Sequence, residues 1–176
     1  MRIRLPNFSM GYVEQGAGQP LLLIHGYPLD STLWQPQLEG LVDVAHMIAP
    51  DLRGHGRSDP LPPPYTMDML ADDCCALLDA LGIMQPVIVG GLSMGGYVTF
   101  AFYRKYAARV AGLILAATRA GVDSPEGKAN RLAAIERARD PAQGPAVVVE
   151  AMLPKMLAPQ AYPTRPDLVE RARRMM

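Results

Sequence analysis

The segment Gly90–Gly96 reads Gly-Gly-Leu-Ser-Met-Gly-Gly and directly follows a run of three β-branched residues, Val87–Val89. It contains the pattern G-x-S-x-G of a nucleophile elbow, placed between a strand pattern and a helix pattern. A serine hydroxyl that attacks a carbonyl must stand clear of the sheet on a sharp turn, which small neighbours make possible. We therefore expect Gly91 and Gly95 to let the two backbones approach closely, and Ser93 to adopt a positive φ.

The same glycines have to be compared with a phosphate-binding loop, because Gly90 and Gly95 have the span of a Walker A motif. Gly96-Tyr97 stands where that motif requires Lys-Ser or Lys-Thr, and no G-x-G-x-x-G follows any apolar strand pattern. Neither nucleotide loop is supported. The remaining alternative is a glycine-rich turn whose serine has no chemical role, and the flanking strand and helix patterns favour the elbow.

The composition is that of an ordinary globular protein of 176 residues, with 49% hydrophobic and 19% charged residues. Seventeen basic and seventeen acidic residues balance, so there is no basic field for nucleic acid and no polybasic patch for anionic lipid. No signal-peptide pattern opens the sequence, and no apolar run approaches the ~20 residues of a membrane helix. We therefore expect a cytoplasmic protein that acts on a small molecule, without nucleic-acid or membrane partners; its oligomeric state is left open.

The sequence predicts no metal site, because His25, His46 and His55 show no ligand spacing. Cys74 and Cys75 are adjacent on a predicted helix, where neighbouring side chains point about 100° apart and cannot form an ordinary disulfide. We interpret them as one core residue and one bystander.

Apolar runs of strand length recur along the first two thirds of the sequence, and helical patterns alternate with them. The strand patterns cover residues 21–24, 46–50, 87–89 and 110–116, and the helical patterns cover 33–42, 66–81 and 97–107. Continuous apolar strands indicate a sheet covered on both faces. The alternation predicts an α/β fold with a mostly parallel sheet and helices on both faces, preceded by a hairpin of residues 2–5 and 10–14.

The character of the sequence changes after Thr118, where strand patterns stop and helical patterns rich in proline and alanine remain. Helix starts are predicted at Ser124-Pro125, at Asp140-Pro141 and at Arg165-Pro166. We therefore divide the chain into an α/β core, residues 1–121, and a helical lid, residues 122–176.

Three motifs in a fixed order carry a resemblance to a known family. His25-Gly26-Tyr27-Pro28 follows the first apolar strand pattern, Asp-Leu-Arg-Gly-His-Gly-Arg-Ser at 51–58 follows the second, and the elbow follows the third. Over residues 2–176 the chain resembles the N-terminal portion of an α/β-hydrolase-fold serine hydrolase. It is similar in particular to the esterase, enol-lactonase and cofactor-free peroxidase-like members, which implies chemistry that needs no cofactor.

The resemblance implies a role for each element of the site. Ser93 is the expected nucleophile, which attacks a carboxylic ester or lactone and forms an acyl-enzyme. The backbone N–H groups of Tyr27 and Met94 are the expected oxyanion donors. A serine rather than an aspartate at this position argues against haloalkane dehalogenase and epoxide hydrolase chemistry.

Other residues are expected to support these groups. His25 and Gly26 order the loop that carries Tyr27, so we interpret His25 as structural and not as the catalytic base. Gly91 and Gly95 support the turn at the nucleophile. Polar anchors for the loop around His55 are expected from Asp51, Arg53 and Asp59. In the lid, the apolar residues either face an acyl group or pack within the lid, and packing is our interpretation for each: Met152, Leu153, Met156 and Leu157.

The sequence departs from the family pattern in its second half. The triad order in this fold is serine, acid, histidine, yet no histidine follows His55 and no carboxylate follows the strand pattern at Ala117-Thr118. We expect an incomplete chain whose acid, base and further strands lie beyond Met176, and which has little or no turnover as it stands. The alternatives are a non-catalytic small-molecule binding module and a fragment that needs a complementing partner to cover the apolar strand at 110–116.

Overall fold

A computed structural model describes residues 1–140, 142 and 146–176. Within these residues, six β-strands form one sheet. The strands are β1 (Arg2–Arg4), β2 (Ser9–Gln15), β3 (Gln19–Ile24), β4 (Ala45–Pro50), β5 (Val87–Leu92) and β6 (Val110–Ala116). Their order across the sheet is β1-β2-β4-β3-β5-β6. The last four strands are mutually parallel, whereas β2 runs antiparallel to β1 and β4. The mostly parallel sheet and the opening hairpin predicted from the sequence are confirmed.

The helices follow the predicted alternation with the strands. They are α1 (Gln35–Gly40), α2 (Met67–Ala80), α3 (Met94–Tyr106), α4 (Pro125–Arg139), α5 (Ala146–Met156), α6 (Ala161–Thr164) and α7 (Pro166–Arg174). The helix predicted over 33–42 is instead a 3₁₀ turn, Ser31–Trp34, followed by α1. Pro36 has no N–H to continue hydrogen bonding from the 3₁₀ turn, so the α-helix starts anew at Gln35.

Alternate residues of β3 enter two apolar clusters, one on each face of the sheet. Leu22 and Ile24 pack in a cluster that includes the buried sides of α2 and α3. Leu21 and Leu23 pack in a second cluster with Leu38 of α1. Because successive side chains of a strand point to opposite faces, this division shows helices on both faces of the sheet.

The chain forms two compact units, Met1–Ala120 and Gly121–Met176. In the second unit α4 begins at Pro125, where the Ser124 side chain accepts a hydrogen bond from Gly127 N–H as the sequence predicts. The helix start predicted at Asp140-Pro141 involves Pro141, which lies outside the described residues. The start at Pro166 is confirmed, although Arg165 makes no side-chain cap there.

The helices of the second unit line an open pocket of about 410 Å³. Leu153 is buried and lines it, while Met152, Met156 and Leu157, which the sequence analysis assigned to a predicted lid, are half-buried. The complete lining is Leu153, Pro154, Pro159, Tyr162, Val169 and Arg173. In the part of the chain that the structure describes, no helix is long and apolar enough to cross a membrane.

Two further observations concern the adjacent cysteines and the last strand of the sheet. Cys75 is buried together with Cys74, so the interpretation of one of them as a bystander was wrong. The Cys75 sulfur lies 3.9 Å from the Nη1 atom of Arg109. The sequence pattern of one helix does not reveal this contact, because Arg109 is outside that helix. On β6, an edge strand of the described sheet, three apolar side chains are 39–47% exposed: Leu113, Ile114 and Leu115.

Candidate active site

Ser93 occupies the turn between β5 and α3, with φ 52° and ψ −111°. This is the positive φ that the motif predicts, and it is uncommon for a residue with a Cβ atom. A Cβ atom on Gly91 would lie 2.2 Å from the Gly95 carbonyl oxygen. The turn can therefore form only because both glycines lack side chains, and it leaves the Ser93 side chain exposed.

The loop that follows β3 lies directly beside this turn, because β3 and β5 are neighbouring parallel strands with Ile24 opposite Gly91. A Cβ atom on Gly26 would be 3.4 Å from the Cβ atom of Ser93. The next residue, Tyr27, is 46% exposed and precedes Pro28 through a cis peptide bond. The backbone of the predicted oxyanion loop is thus adjacent to the predicted nucleophile.

The two predicted oxyanion donors are backbone N–H groups at these neighbouring strand ends. Met94 is the first residue of α3, where N–H groups have no acceptor within the helix. No described residue accepts a hydrogen bond from the N–H of Tyr27. Both groups are therefore available to a ligand, and the positive end of the α3 dipole favours negative charge at Met94.

His25 is fully buried and uses both ring nitrogens for structural hydrogen bonds. Its Nε2 atom accepts from Leu52 N–H at 3.0 Å, and its Nδ1 atom donates to the Gly26 carbonyl at 3.0 Å. These partners require the neutral tautomer protonated on Nδ1. Burial lowers the pKa of His25 to about 4. Since the lone pair of Nε2 is already used, His25 has none to accept the Ser93 proton.

Asp51 connects the loop after β4 to Ser31 through hydrogen bonds. Its carboxylate accepts hydrogen bonds from Ser31 N–H at 2.8 Å and from the backbone and guanidinium of Arg57 at 3.1 Å. Burial by itself would raise the pKa of Asp51, but these donors outweigh it and hold the pKa below its usual value. A Cβ atom on Gly56 would lie 2.6 Å from the Asp51 carboxyl carbon, so the loop closes tightly around the carboxylate.

Arg53 forms a buried ion pair that the sequence reasoning did not find. Its Nε and Nη2 atoms each donate to the Asp73 carboxylate at 2.6 Å, and the two side chains are 7% and 10% exposed. The guanidinium also lies 5.3 Å from the Phe8 ring and 5.7 Å from the Tyr65 ring. Asp73 sits among the buried residues of α2, and a carboxylate on that apolar face was the signal that could have indicated a buried partner.

The other predicted anchors and histidines lie around the same loops. Asp59 accepts from Ser9 N–H at 2.9 Å and also pairs with Arg2. His55 Nδ1 donates to the Arg53 carbonyl at 3.1 Å, and its ring centroid lies 5.1 Å from that of His25. His46 Nε2 lies 2.7 Å from a Glu14 carboxylate oxygen.

The Ser93 hydroxyl is not hydrogen-bonded to any residue that the structure describes, so none of the three histidines is engaged with it. Within the described ranges, no three or more His, Cys, Asp or Glu side chains are placed to hold a metal ion. The site thus consists of a serine on a strained turn beside two available backbone donors.

Comparison with known proteins gives the same architecture. The family described as the α/β hydrolase fold matches residues 19–151, which include β3 to β6 and the elbow. The chain belongs to the α/β-hydrolase-fold family. Its expected fold class is thereby confirmed.

Several known proteins are similar to the chain over part of their length. A non-heme chloroperoxidase of Kitasatospora aureofaciens is 43% identical over 86 residues, which cover 48% of this chain and 31% of that protein. A thermophilic esterase from Thermogutta terrifontis is 43% identical with a TM-score of 0.92, over 99% of this chain and 66% of the other. The enol-lactonase from Burkholderia xenovorans LB400 is 26% identical with a TM-score of 0.88, over 99% and 66%. The chain therefore spans about a third of that curated relative and about two thirds of these solved structures.

Proposed function

We propose that this chain supplies the nucleophile and the oxyanion hole of a hydrolase that cleaves a carboxylic ester or a lactone through an acyl-enzyme on Ser93. The observation that carries the proposal is the exposed Ser93 at φ 52°, beside Gly26 and at the start of α3. The esterase and the enol-lactonase among the similar proteins support an ester or lactone as the class of substrate.

The proposed acylation step begins when Ser93 Oγ forms a bond to the acyl carbon. The carbonyl electron pair moves onto oxygen, the N–H groups of Tyr27 and Met94 hold that oxyanion, and a general base takes the hydroxyl proton. Return of the electron pair breaks the bond to the leaving alkoxide, which receives the proton. Water then attacks the acyl-enzyme in the same way and releases the acid, restoring Ser93; a lactone yields a single hydroxy acid.

The general base is a requirement of this proposal that the three histidines do not meet. His25 uses both ring nitrogens in structural hydrogen bonds, and neither His46 nor His55 is hydrogen-bonded to the Ser93 hydroxyl. A neutral serine is a poor nucleophile without a base. We therefore expect little or no ester turnover from residues 1–176 alone, and full activity only where a base from another residue reaches Ser93.

The experiment that tests the proposal treats the protein, produced as its gene encodes it, with a fluorophosphonate probe and locates the label by peptide mass spectrometry. We expect the label on Ser93, and we expect Ser93→Ala to lose both labelling and ester turnover with an unchanged circular dichroism spectrum. Ser9→Ala, which alters a serine on β2, is the matched control and should remain labelled. Unchanged ester turnover in Ser93→Ala would contradict the proposal.

A non-catalytic binding module is the second candidate, because no described residue activates the Ser93 hydroxyl by a hydrogen bond. Such a module would bind an ester without becoming labelled and without hydrolysing it.

The exposed apolar residues of β6 favour a third candidate, a fragment completed by another chain. Size-exclusion chromatography tests it, since a well-folded monomer would argue against a complementing partner.

A further inference from the structure

The carbonyl oxygen of Ser93 accepts a hydrogen bond from the Thr118 hydroxyl at 2.9 Å. Thr118 lies just beyond β6, twenty-five residues from Ser93 in sequence. The Ser93 carbonyl belongs to the same peptide group as the N–H of Met94. Because a peptide group is planar and trans, its carbonyl and its N–H point in opposite directions. A contact that orients one therefore orients the other.

The end of β6 is shaped to make this contact. Ser93 N–H donates to the Ala116 carbonyl at 2.9 Å, so the last residue of β6 binds the N–H of Ser93 and Thr118, just beyond the strand, binds its carbonyl. Between these two contacts the chain turns at Ala117, which has φ 45°, a conformation that costs free energy for a residue with a Cβ atom. The strained turn places the Thr118 hydroxyl within hydrogen-bond distance of the Ser93 carbonyl.

Gly96 provides the space for this threonine. A Cβ atom on Gly96 would lie 2.4 Å from Thr118 Oγ1 and 2.5 Å from its Cβ and Cγ2 atoms. The Gly96 N–H also donates to the Ser93 carbonyl, at 3.0 Å. The Ser93 carbonyl thus receives two donors, and the Thr118 hydroxyl can reach it because residue 96 has no Cβ atom.

The geometry points to Thr118 as a positioning residue for the oxyanion hole, acting through the Ser93–Met94 peptide group. Donation to the carbonyl fixes the plane of that peptide group and polarises it, which strengthens Met94 N–H as a donor. The inference rests on the proposed function, because it assigns Met94 N–H to the oxyanion of the transition state. The role assigned to Thr118 passes through this peptide group and includes no contact with the substrate.

The test compares Thr118→Val, Thr118→Ser and wild type in the protein as its gene encodes it. Valine keeps the shape that packs on Gly96 and removes the donor, whereas serine keeps the donor. Losing a whole oxyanion donor lowers kcat about 100-fold or more, so weakening one should lower it about 10-fold. We expect that loss in Thr118→Val, with KM within about twofold, because the affected interaction strengthens only in the transition state. Thr118→Ser should retain most of kcat.

A second readout separates positioning from a merely structural role. An arylboronic acid forms a tetrahedral adduct with a nucleophilic serine and places a boron-bound oxygen in the oxyanion hole. Its inhibition constant should rise about 10-fold in Thr118→Val, in parallel with the fall in kcat. The matched control is Thr164→Val, since the Thr164 hydroxyl donates at 2.6 Å to the Gln160 carbonyl, which belongs neither to the turn of Ser93 nor to the loop of Tyr27. That variant should keep its kcat.

The outcomes discriminate between the two proposals. A kcat in Thr118→Val within twofold of wild type, with Ser93→Ala inactive, would overturn the role of Thr118 alone. An equal loss of kcat in Thr118→Ser and Thr118→Val would also overturn it, since the hydroxyl would then not be the cause. Turnover that survives in Ser93→Ala would overturn the proposed function and, with it, this inference.

Discussion

Gly95 lies so close to Ile24 that a Cβ atom at position 95 would be 2.2 Å from the Ile24 carbonyl oxygen. Ile24 is the last residue of β3, and Gly95 is the second residue of α3. The helix that carries the turn of Ser93 is thereby pressed against the neighbouring strand. This close approach brings the loop of Gly26 and Tyr27 beside Ser93.

Gly95→Ala should therefore destabilise the protein by about 3 kcal/mol or more, because a backbone carbonyl cannot move aside as a flexible side chain can. Gly40→Ala is the matched control, since a Cβ atom at that position of α1 meets nothing within 4 Å. The control should be neutral or more stable by up to about 1 kcal/mol. Urea unfolding measures both variants, and equal stabilities would contradict the close approach.

Ser93→Gly should be more stable than Ser93→Ala by about 1 kcal/mol. Both variants lack the hydroxyl, so their difference isolates the cost of holding a Cβ atom at φ 52°. Chemical denaturation of the two proteins under the same conditions measures it. If alanine were as stable as glycine at this position, Ser93 would not be strained.

The free energy of unfolding should fall as the pH falls from about 6.5 to about 4, because of His25. Burial lowers the pKa of His25 to about 4 in the folded state, against 6.5 for the ordinary side chain. Between these values the unfolded chain binds the proton and the folded chain does not, which favours unfolding by up to about 3 kcal/mol at the low end. At higher pH both states are neutral at this site, and the effect disappears.

NMR of the His25 ring measures that titration directly, and a midpoint near 6.5 would contradict the burial and hydrogen bonding of the ring. His25→Gln supplies the control for stability. It removes the titrating group, so its free energy of unfolding should depend less steeply on pH between 4 and 6.5 than that of the wild type.

Asp73→Leu should cost about 3–5 kcal/mol of stability, because it leaves the buried Arg53 guanidinium without its carboxylate. The double variant Arg53→Met/Asp73→Leu should recover most of that loss, since two apolar side chains of similar volume need no partner. Thermal and urea unfolding of the set measure this. A double variant no more stable than Asp73→Leu would show that the pair contributes more than mutual neutralisation.

Local sequence patterns were sufficient to predict the secondary structure around Ser93. The β-branched run before Ser93 and the glycines around it predict a strand, a sharp turn and a helix through steric effects between near neighbours. The helix start at Ser124-Pro125 was predicted for the same reason, because capping depends on residues three apart. The helix predicted over 33–42 was wrong in its bounds, because residues 31–34 form a 3₁₀ turn and α1 covers only Gln35–Gly40, with Pro36 in its first turn.

The sequence by itself determined the α/β alternation, the place of Ser93 between β5 and α3, and the order of the three motifs. Only the tertiary structure decided which groups meet: Leu52 N–H with His25, Asp73 with Arg53, and Thr118 with the Ser93 carbonyl. The physical reason is that backbone conformation follows from neighbours along the chain. Hydrogen-bond partners twenty or more residues apart depend on strand register and on how helices pack against the sheet.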